Sequence, residues 1–122
     1  MDAIRRTPGR PASLPIALAL KYMAEHLSED IGRDEICRAA HLSPSHFSRL
    51  FAAHVGQSLK DYLTELRLNR ARELLVRSAM PLAQVALESG FKDQSYFTKV
   101  FRQHLGATPG AYRSRRQNAA PN

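Results

Sequence analysis

The sequence predicts an all-α protein of about seven helices, arranged as two helix-turn-helix lobes joined by a long linker helix. Apolar residues recur at helical spacing along most of the chain, and no stretch shows a clear strand pattern. One short pattern occurs twice in the 122 residues, once on each side of a run that lacks Gly and Pro. The length suits one domain or two very small lobes.

The first predicted helices precede that central run. Residues 1–13 are rich in arginine, proline and glycine, and we expect them to form a disordered basic arm. Apolar residues at helical spacing predict a helix from Leu14 to about Ser28. A break at Ile31-Gly32 separates it from a short helix over 33–40, which a tight turn at His41-Leu42 follows.

The next two helices have clear start signals. Ser43-Pro44 is a helix start, because serine is a favoured N-cap and proline suits the first helical position, and this helix ends at Gly56. The run 58–78 predicts one long helix with Ser58 as its N-cap. Asp61 in its first turn and Arg77 in its last complement the helix dipole.

The remainder of the chain repeats the first arrangement. The predicted elements are a short helix over 81–89, a turn at Gly90, a helix over 94–105 capped by Asp93 and closed by Gly106, and a last short helical turn from Pro109 through Tyr112. The predicted domains are an arm (1–13), an N-terminal lobe (14–57), a linker helix (58–78), a C-terminal lobe (79–113) and a disordered tail (114–122).

The composition limits the classes of function that fit this chain. Lys and Arg number 18 against 11 Asp and Glu, which gives a net charge of +7 and a pI near 10.2. Such basicity favours a nucleic acid or another anionic partner. No apolar run approaches the roughly 20 residues of a membrane helix, and the first residues lack the apolar core of a secretory signal. The single cysteine, Cys37, allows no internal disulfide, which fits a cytoplasmic protein.

The internal repeat is the most specific feature. The segment His46–Tyr62 aligns with Tyr96–Tyr112 at an offset of 50 residues without a gap, and Ile36-Cys37 matches Val85-Ala86 at an offset of 49. Each copy reads as a short helix, a tight turn and a longer helix, which is the helix-turn-helix arrangement. The paired phenylalanines of each longer helix are four residues apart and so predict its buried face; they are Phe47, Phe51, Phe97 and Phe101.

The opposite faces of the two longer helices supply the candidate DNA-binding residues. The first offers Ser45, Ser48, Arg49 and Ala52. The second offers short polar and cationic side chains suited to base edges and phosphates, namely Gln94, Ser95, Thr98, Lys99 and Arg102. A central helix of roughly 30 Å would separate them by about the 34 Å repeat of B-DNA. One monomer is therefore expected to contact two successive major grooves, at a site that need not be a palindrome.

The segment ALESGFKDQSYFTKVFRQHLGATPGAYR, Ala86 to Arg113, closely resembles the signature of the AraC/XylS family of bacterial transcription regulators. The first copy, CRAAHLSPSHFSRLFAAHVGQSLKDYL, and the linker RLNRARELL are similar to the same family. The resemblance covers about residues 16–113. It implies two helix-turn-helix lobes on adjacent major-groove segments, and activation of transcription through contact with RNA polymerase.

The resemblance also implies roles for particular residues. In the first recognition helix, Ser45, Ser48 and Arg49 would read bases, with His46 near the DNA backbone. The second would use Gln94, Ser95, Thr98 and Lys99. Most members of the family carry an N-terminal effector and dimerisation domain, so this chain is interpreted either as a stand-alone monomeric member or as the DNA-binding domain of a longer regulator.

Other function classes have less support. The five histidines lack a tight ligand spacing with carboxylate or cysteine support, so no metal is expected. The sequence contains no motif of a catalytic nucleophile, a phosphate-binding loop or a zinc protease, so neither an enzyme nor a cofactor is expected. A helical protein-interaction adaptor is the remaining alternative, and the exposed polar faces and positive charge argue against it.

Overall fold

The computed structural model describes residues 13–119, and over this range the chain forms α-helices and no strand, which confirms the all-α fold class. The predicted basic arm, apart from its last residue, and the last three residues of the predicted tail lie outside the described residues. The seven helices are α1 (Ser13–His26), α2 (Arg33–Ala40), α3 (Pro44–Val55), α4 (Leu59–Arg77), α5 (Leu82–Glu88), α6 (Gln94–Leu105) and α7 (Pro109–Ala119).

Two compact units make up the chain, and the division between them falls between Thr64 and Glu65. We call them the N-terminal unit and the C-terminal unit. The division lies inside α4, so this helix contributes its first residues to one unit and the rest to the other.

The core of the N-terminal unit is apolar and aromatic. Its buried residues are Ile16, Ala19, Met23, Ile36, Cys37, Ala40, Phe47, Phe51 and Leu63. Phe47 and Phe51 are at most 1% exposed, which confirms that this face of α3 is core. The Phe51 ring meets the Tyr62 ring edge-on, with centroids 5.7 Å apart, in a geometry that aromatic pairs favour.

The C-terminal unit has a core of the same kind. Its buried cluster comprises Leu68, Ala71, Leu75, Val85, Ala86, Phe91, Phe97, Val100 and Phe101. The Phe101 ring meets Tyr112 edge-on at 5.4 Å, as Phe51 meets Tyr62 in the first unit. The two copies of the sequence pattern therefore build their cores with the same aromatic contact.

Helix starts are also repeated between the units. The Ser43 hydroxyl accepts a hydrogen bond from the backbone N–H of His46, and the Asp93 carboxylate accepts one from the backbone N–H of Tyr96. These bonds satisfy donors that the first turn of a helix leaves unpaired. The Ser58 hydroxyl caps α4 by the same kind of bond, as its sequence predicts.

The turn inside each helix-turn-helix requires a left-handed backbone. Gly90 has φ 94°, and His41, its counterpart in the first copy, has φ 61° and ψ 39°. Glycine adopts this region without steric cost, whereas a residue with a Cβ is strained there. His41 therefore occupies a conformation that is unfavourable for a residue with a Cβ.

The last helix is longer than the sequence suggested. The prediction of a short helical turn ending at Tyr112, followed by a disordered tail, is corrected for residues 114–119, which continue α7. Neither Gly nor Pro follows Gly110 in this helix. Arg113 Nε donates to the backbone oxygen of Leu75 at 3.0 Å, and the Arg116 guanidinium lies 5.0 Å from the centroid of the Tyr112 ring. These contacts stabilise turns that local sequence alone does not predict.

Candidate nucleic-acid interface

Helix α3 presents a polar face to solvent. Ser45, His46, Ser48 and Arg49 are all exposed, whereas Phe47 and Phe51 on the opposite side are buried. Positions 45, 48 and 49 follow the three- and four-residue spacing that places side chains on one helix face. The structure therefore brings the predicted readers of the N-terminal unit together on one accessible surface.

Helix α6 has the corresponding face in the C-terminal unit. Gln94, Ser95, Lys99 and Arg102 are exposed, and Thr98 is half-buried. The buried side of α6 consists of Phe97, Val100 and Phe101. Since Thr98 is partly covered by its own unit, it offers a base less of its side chain than the exposed Ser48 does.

Three cations on these faces have no anionic partner within the described part of the chain. The ion pairs found there join Lys21 to Glu25, His26 to Glu29 and Arg70 to Glu73. Arg49, Lys99 and Arg102 belong to none of them. A cation that is not neutralised internally retains its full attraction for phosphate or for the acceptors of guanine.

The ends of both recognition helices carry equivalent histidines. His54 Nδ1 donates to the backbone oxygen of Leu50 at 3.1 Å, and His104 Nδ1 donates to that of Val100 at 3.0 Å. Each ring is thus bound to its own helix through one nitrogen. Within residues 13–119, no group of three or more potential ligands is placed to hold a metal ion.

A further polar contact lies beside the α3 face. Arg33 Nη1 donates to the Ser48 hydroxyl at 2.9 Å, and both side chains are exposed. Both residues line a surface cleft of about 540 Å³, together with residues from α3 and the start of α4. Arg33 was not among the predicted site residues. The repeat nevertheless distinguishes this position, because its equivalent at an offset of 49 is the apolar Leu82 and not a second cation.

Two side chains of α2 have shifted pKa values. Gly32 donates its backbone N–H to Glu35 Oε1 at 2.7 Å, and this bond lowers the pKa of the Glu35 carboxyl. Burial raises the pKa of the Cys37 thiol, which is 2% exposed. Cys37 is therefore held as a neutral thiol in the core.

None of the helices between residues 13 and 119 combines the length and apolar character needed to cross a bilayer. The exposed large apolar side chains among the described residues are Leu14, Val76, Leu87 and Tyr96. The exposed surface of the two recognition helices is thus polar and cationic, with Tyr96 as the one large apolar exception.

Comparison with known proteins gives a consistent result. A family model described as "Helix-turn-helix domain" matches residues 36–115, which include both helix-turn-helix copies. The chain is 39% identical over 122 residues to the regulatory protein PocR of Salmonella typhimurium, and covers 40% of that protein. It is 35% identical over 116 residues to the arabinose operon regulatory protein of Escherichia coli, and covers 39% of it. The chain thus spans about two fifths of the length of these relatives.

Solved structures extend the similarity to the fold. The DNA-binding domain of the global transcriptional factor AdpA, in complex with a target DNA, matches 88% of this chain and 97% of its own length, with a TM-score of 0.84 and 29% identity. A transcriptional regulator of the AraC type from Chromobacterium violaceum matches 87% of this chain and 95% of its own, with a TM-score of 0.80 and 30% identity.

Proposed function

Because this chain belongs to the AraC family of helix-turn-helix DNA-binding domains, we propose that it is a sequence-specific double-stranded DNA-binding transcription regulator. Helices α3 and α6 are its recognition helices, and each enters the major groove of one of two adjacent segments of the same duplex. The structural relative AdpA, solved with its target DNA, supports this proposal.

One observation carries the proposal more than any other. Two copies of one helix-turn-helix each place an exposed polar and cationic face opposite a phenylalanine core, and the cations Arg49, Lys99 and Arg102 are left without an internal anion. A purely structural surface would gain from pairing these charges at short range. An interface for a polyanion keeps them available.

Roles within each face follow from side-chain chemistry. Arginine and lysine suit the O6 and N7 acceptors of guanine, and glutamine suits adenine. We therefore assign base reading to Arg49 in the N-terminal unit, and to Gln94 and Lys99 in the C-terminal unit. Ser45, Ser95 and Thr98 add short-range contacts, while His46 and Arg102 contact phosphates. Ser48 is considered below.

We further propose that the chain acts as an activator that contacts RNA polymerase, binds DNA as a monomer, works in the cytoplasm, and acts through binding rather than catalysis. The family resemblance supports the first of these statements, and the duplicated recognition helix supports the second. An alternative is that these residues are the DNA-binding domain of a longer effector-responsive regulator. DNA reading belongs to the same two helices in either case.

The test begins with a duplex selected from a random pool. Arg49→Ala and Lys99→Ala are each expected to weaken binding to the selected duplex by about 1–3 kcal/mol, the range for a good base contact. Binding to a random duplex should change much less. Lys21→Ala removes one charge from α1, where Lys21 faces Glu25, and serves as the matched control.

Affinity is measured by mobility shift at physiological salt on both duplexes. Unchanged affinity of the double variant Arg49→Ala/Lys99→Ala for the selected duplex would refute the assignment of these faces. Absence of any sequence preference in the wild-type chain would favour the helical adaptor instead.

A further inference from the structure

The contact between Arg33 and Ser48 joins two helices at the edge of the recognition face. Arg33 is the first residue of α2, Ser48 lies on α3, and the two are 15 residues apart in the chain. Arg33 Nη1 donates to the Ser48 hydroxyl at 2.9 Å. In free protein, water competes for this bond. When a duplex covers the face and excludes water, the same bond becomes stronger.

The bond changes what the Ser48 hydroxyl can offer. A serine hydroxyl donates one hydrogen bond and accepts up to two, so an isolated serine pairs with any base. A guanidinium has only donors, and its bond occupies a lone pair of the Ser48 oxygen. The hydroxyl proton must then point away from Arg33, and the nearby positive charge makes the hydroxyl a stronger donor and its remaining lone pair a weaker acceptor.

We propose that Arg33 is a positioning residue for base reading, which holds the Ser48 hydroxyl as a hydrogen-bond donor toward the major groove. The N-terminal unit then prefers a base with a major-groove acceptor where Ser48 faces the DNA. Guanine, adenine and thymine have such an acceptor, whereas the group cytosine presents there is an amino donor. This inference rests on the proposed function, since it needs α3 to be a recognition helix.

The C-terminal unit provides an internal comparison. Thr98 is the counterpart of Ser48, and Leu82 is the counterpart of Arg33. Leu82 packs against the apolar core of its unit, so no cation is supplied from that position. The arginine–serine bond is therefore specific to the N-terminal unit. Two of the candidate base-contacting residues there are small serines, so an oriented hydroxyl adds the most specificity in this unit.

A different role for Arg33 is a simple contact with phosphate, and the two roles have separate signatures. A phosphate contact weakens binding to every sequence alike and, when removed, reduces the slope of log affinity against log salt by about 0.9. A positioning role alters discrimination at one base pair and leaves other positions unchanged. The discriminating measurement is therefore base preference.

The experiment compares Arg33→Met, Ser48→Ala and the double variant on the selected duplex and on its single-base-pair substitutions. Arg33→Met and Ser48→Ala should each reduce discrimination at the same single position, roughly three- to tenfold, which corresponds to one hydrogen bond. The double variant should lose no more than the larger single loss. Arg38→Met, which removes the same charge from an exposed site on α2, should leave that preference intact.

Arg33 and Ser48 are exposed, and equal melting temperatures would show that the variants are folded. Two results would overturn the inference: a uniform loss with a reduced salt slope in Arg33→Met, or losses from the two single variants that simply add. If Arg49→Ala also binds the selected duplex as the wild type does, the proposed function fails instead, which keeps the two failures distinguishable.

Discussion

A reciprocal exchange at the two equivalent turns tests the backbone of both helix-turn-helix copies. His41 and Gly90 both have positive φ, at 61° and 94°. Both donate a backbone N–H to a carbonyl three residues earlier at 3.1 Å. His41→Gly should stabilise the N-terminal unit, and Gly90→Ala should destabilise the C-terminal unit. Removing a Cβ at this position is thus expected to stabilise one unit, and adding a Cβ at the equivalent position is expected to destabilise the other.

The magnitude follows from two opposing contributions. A residue with a Cβ costs about 1–2 kcal/mol in the left-handed region. Glycine at the same place costs about 0.4–1 kcal/mol, because the unfolded chain gains freedom. The difference gives about 0.5–1 kcal/mol for each variant. His41 is exposed, so its removal sacrifices little packing.

The assay is amide hydrogen exchange resolved by peptide, because two units need not unfold together and a single melting curve would average them. A change of about 0.5–1 kcal/mol alters exchange roughly two- to fivefold. Protection in α2 and α3 should rise in His41→Gly, while protection in α5 and α6 should fall in Gly90→Ala.

The control is Arg38→Gly, at an exposed position within α2. This substitution should lower the stability of the N-terminal unit by about 1 kcal/mol, because glycine is unfavourable inside a helix. If His41→Gly lowered protection as much as Arg38→Gly does, the strain argument would be refuted.

Three further predictions concern buried or capping groups. Ser89 is fully buried and its Oγ has no hydrogen-bond partner among the described residues, whereas its counterpart Ala40 is apolar. Ser89→Ala should therefore raise the free energy of unfolding, measured by urea titration, by about 1 kcal/mol. A lower free energy of unfolding in this variant would contradict the prediction. The hydrogen bond from the Gly32 N–H lowers the pKa of the Glu35 carboxyl below its ordinary value of 4.5. Glu35→Ala should therefore destabilise the protein fully above pH 4.5, and this destabilisation should vanish as the pH falls through the lowered pKa. A difference in urea midpoint between variant and wild type that does not change with pH would contradict the prediction. Buried Cys37, with its raised pKa, should react with iodoacetamide much more slowly in native protein than in urea at one pH, and equal rates would contradict this.

The sequence predicted those parts of the fold that local chemistry determines. The pairs Phe47/Phe51 and Phe97/Phe101 are buried because residues four apart share a helix face, and the repeat showed that both copies use the same face. Ser43 and Asp93 cap helices because their side chains reach a backbone N–H three residues on. In each case the interacting residues lie within about one helical turn of each other, so their spacing in the sequence predicts the contact.

Contacts between distant parts of the chain were not predictable in this way. Arg113, just before the extended part of α7, donates to the carbonyl of Leu75, which is 38 residues earlier. The bond from Arg33 to Ser48 depends on how α2 packs against α3. A long side chain can reach many places, and only the packed backbone selects one of them. The contacts of the recognition residues with DNA, and the spacing of the two half-sites, remain predictions.

The most direct measurement of the central claim is selection of bound duplexes from a random pool with the wild type, Arg49→Ala and Lys99→Ala. We expect two blocks of preferred base pairs about one helical turn, or 10–10.5 base pairs, apart and not related by a palindrome. Arg49→Ala should erase preference in one block only, and Lys99→Ala in the other. A single block, or the loss of the same block in both variants, would contradict a protein that reads DNA with two separate recognition helices.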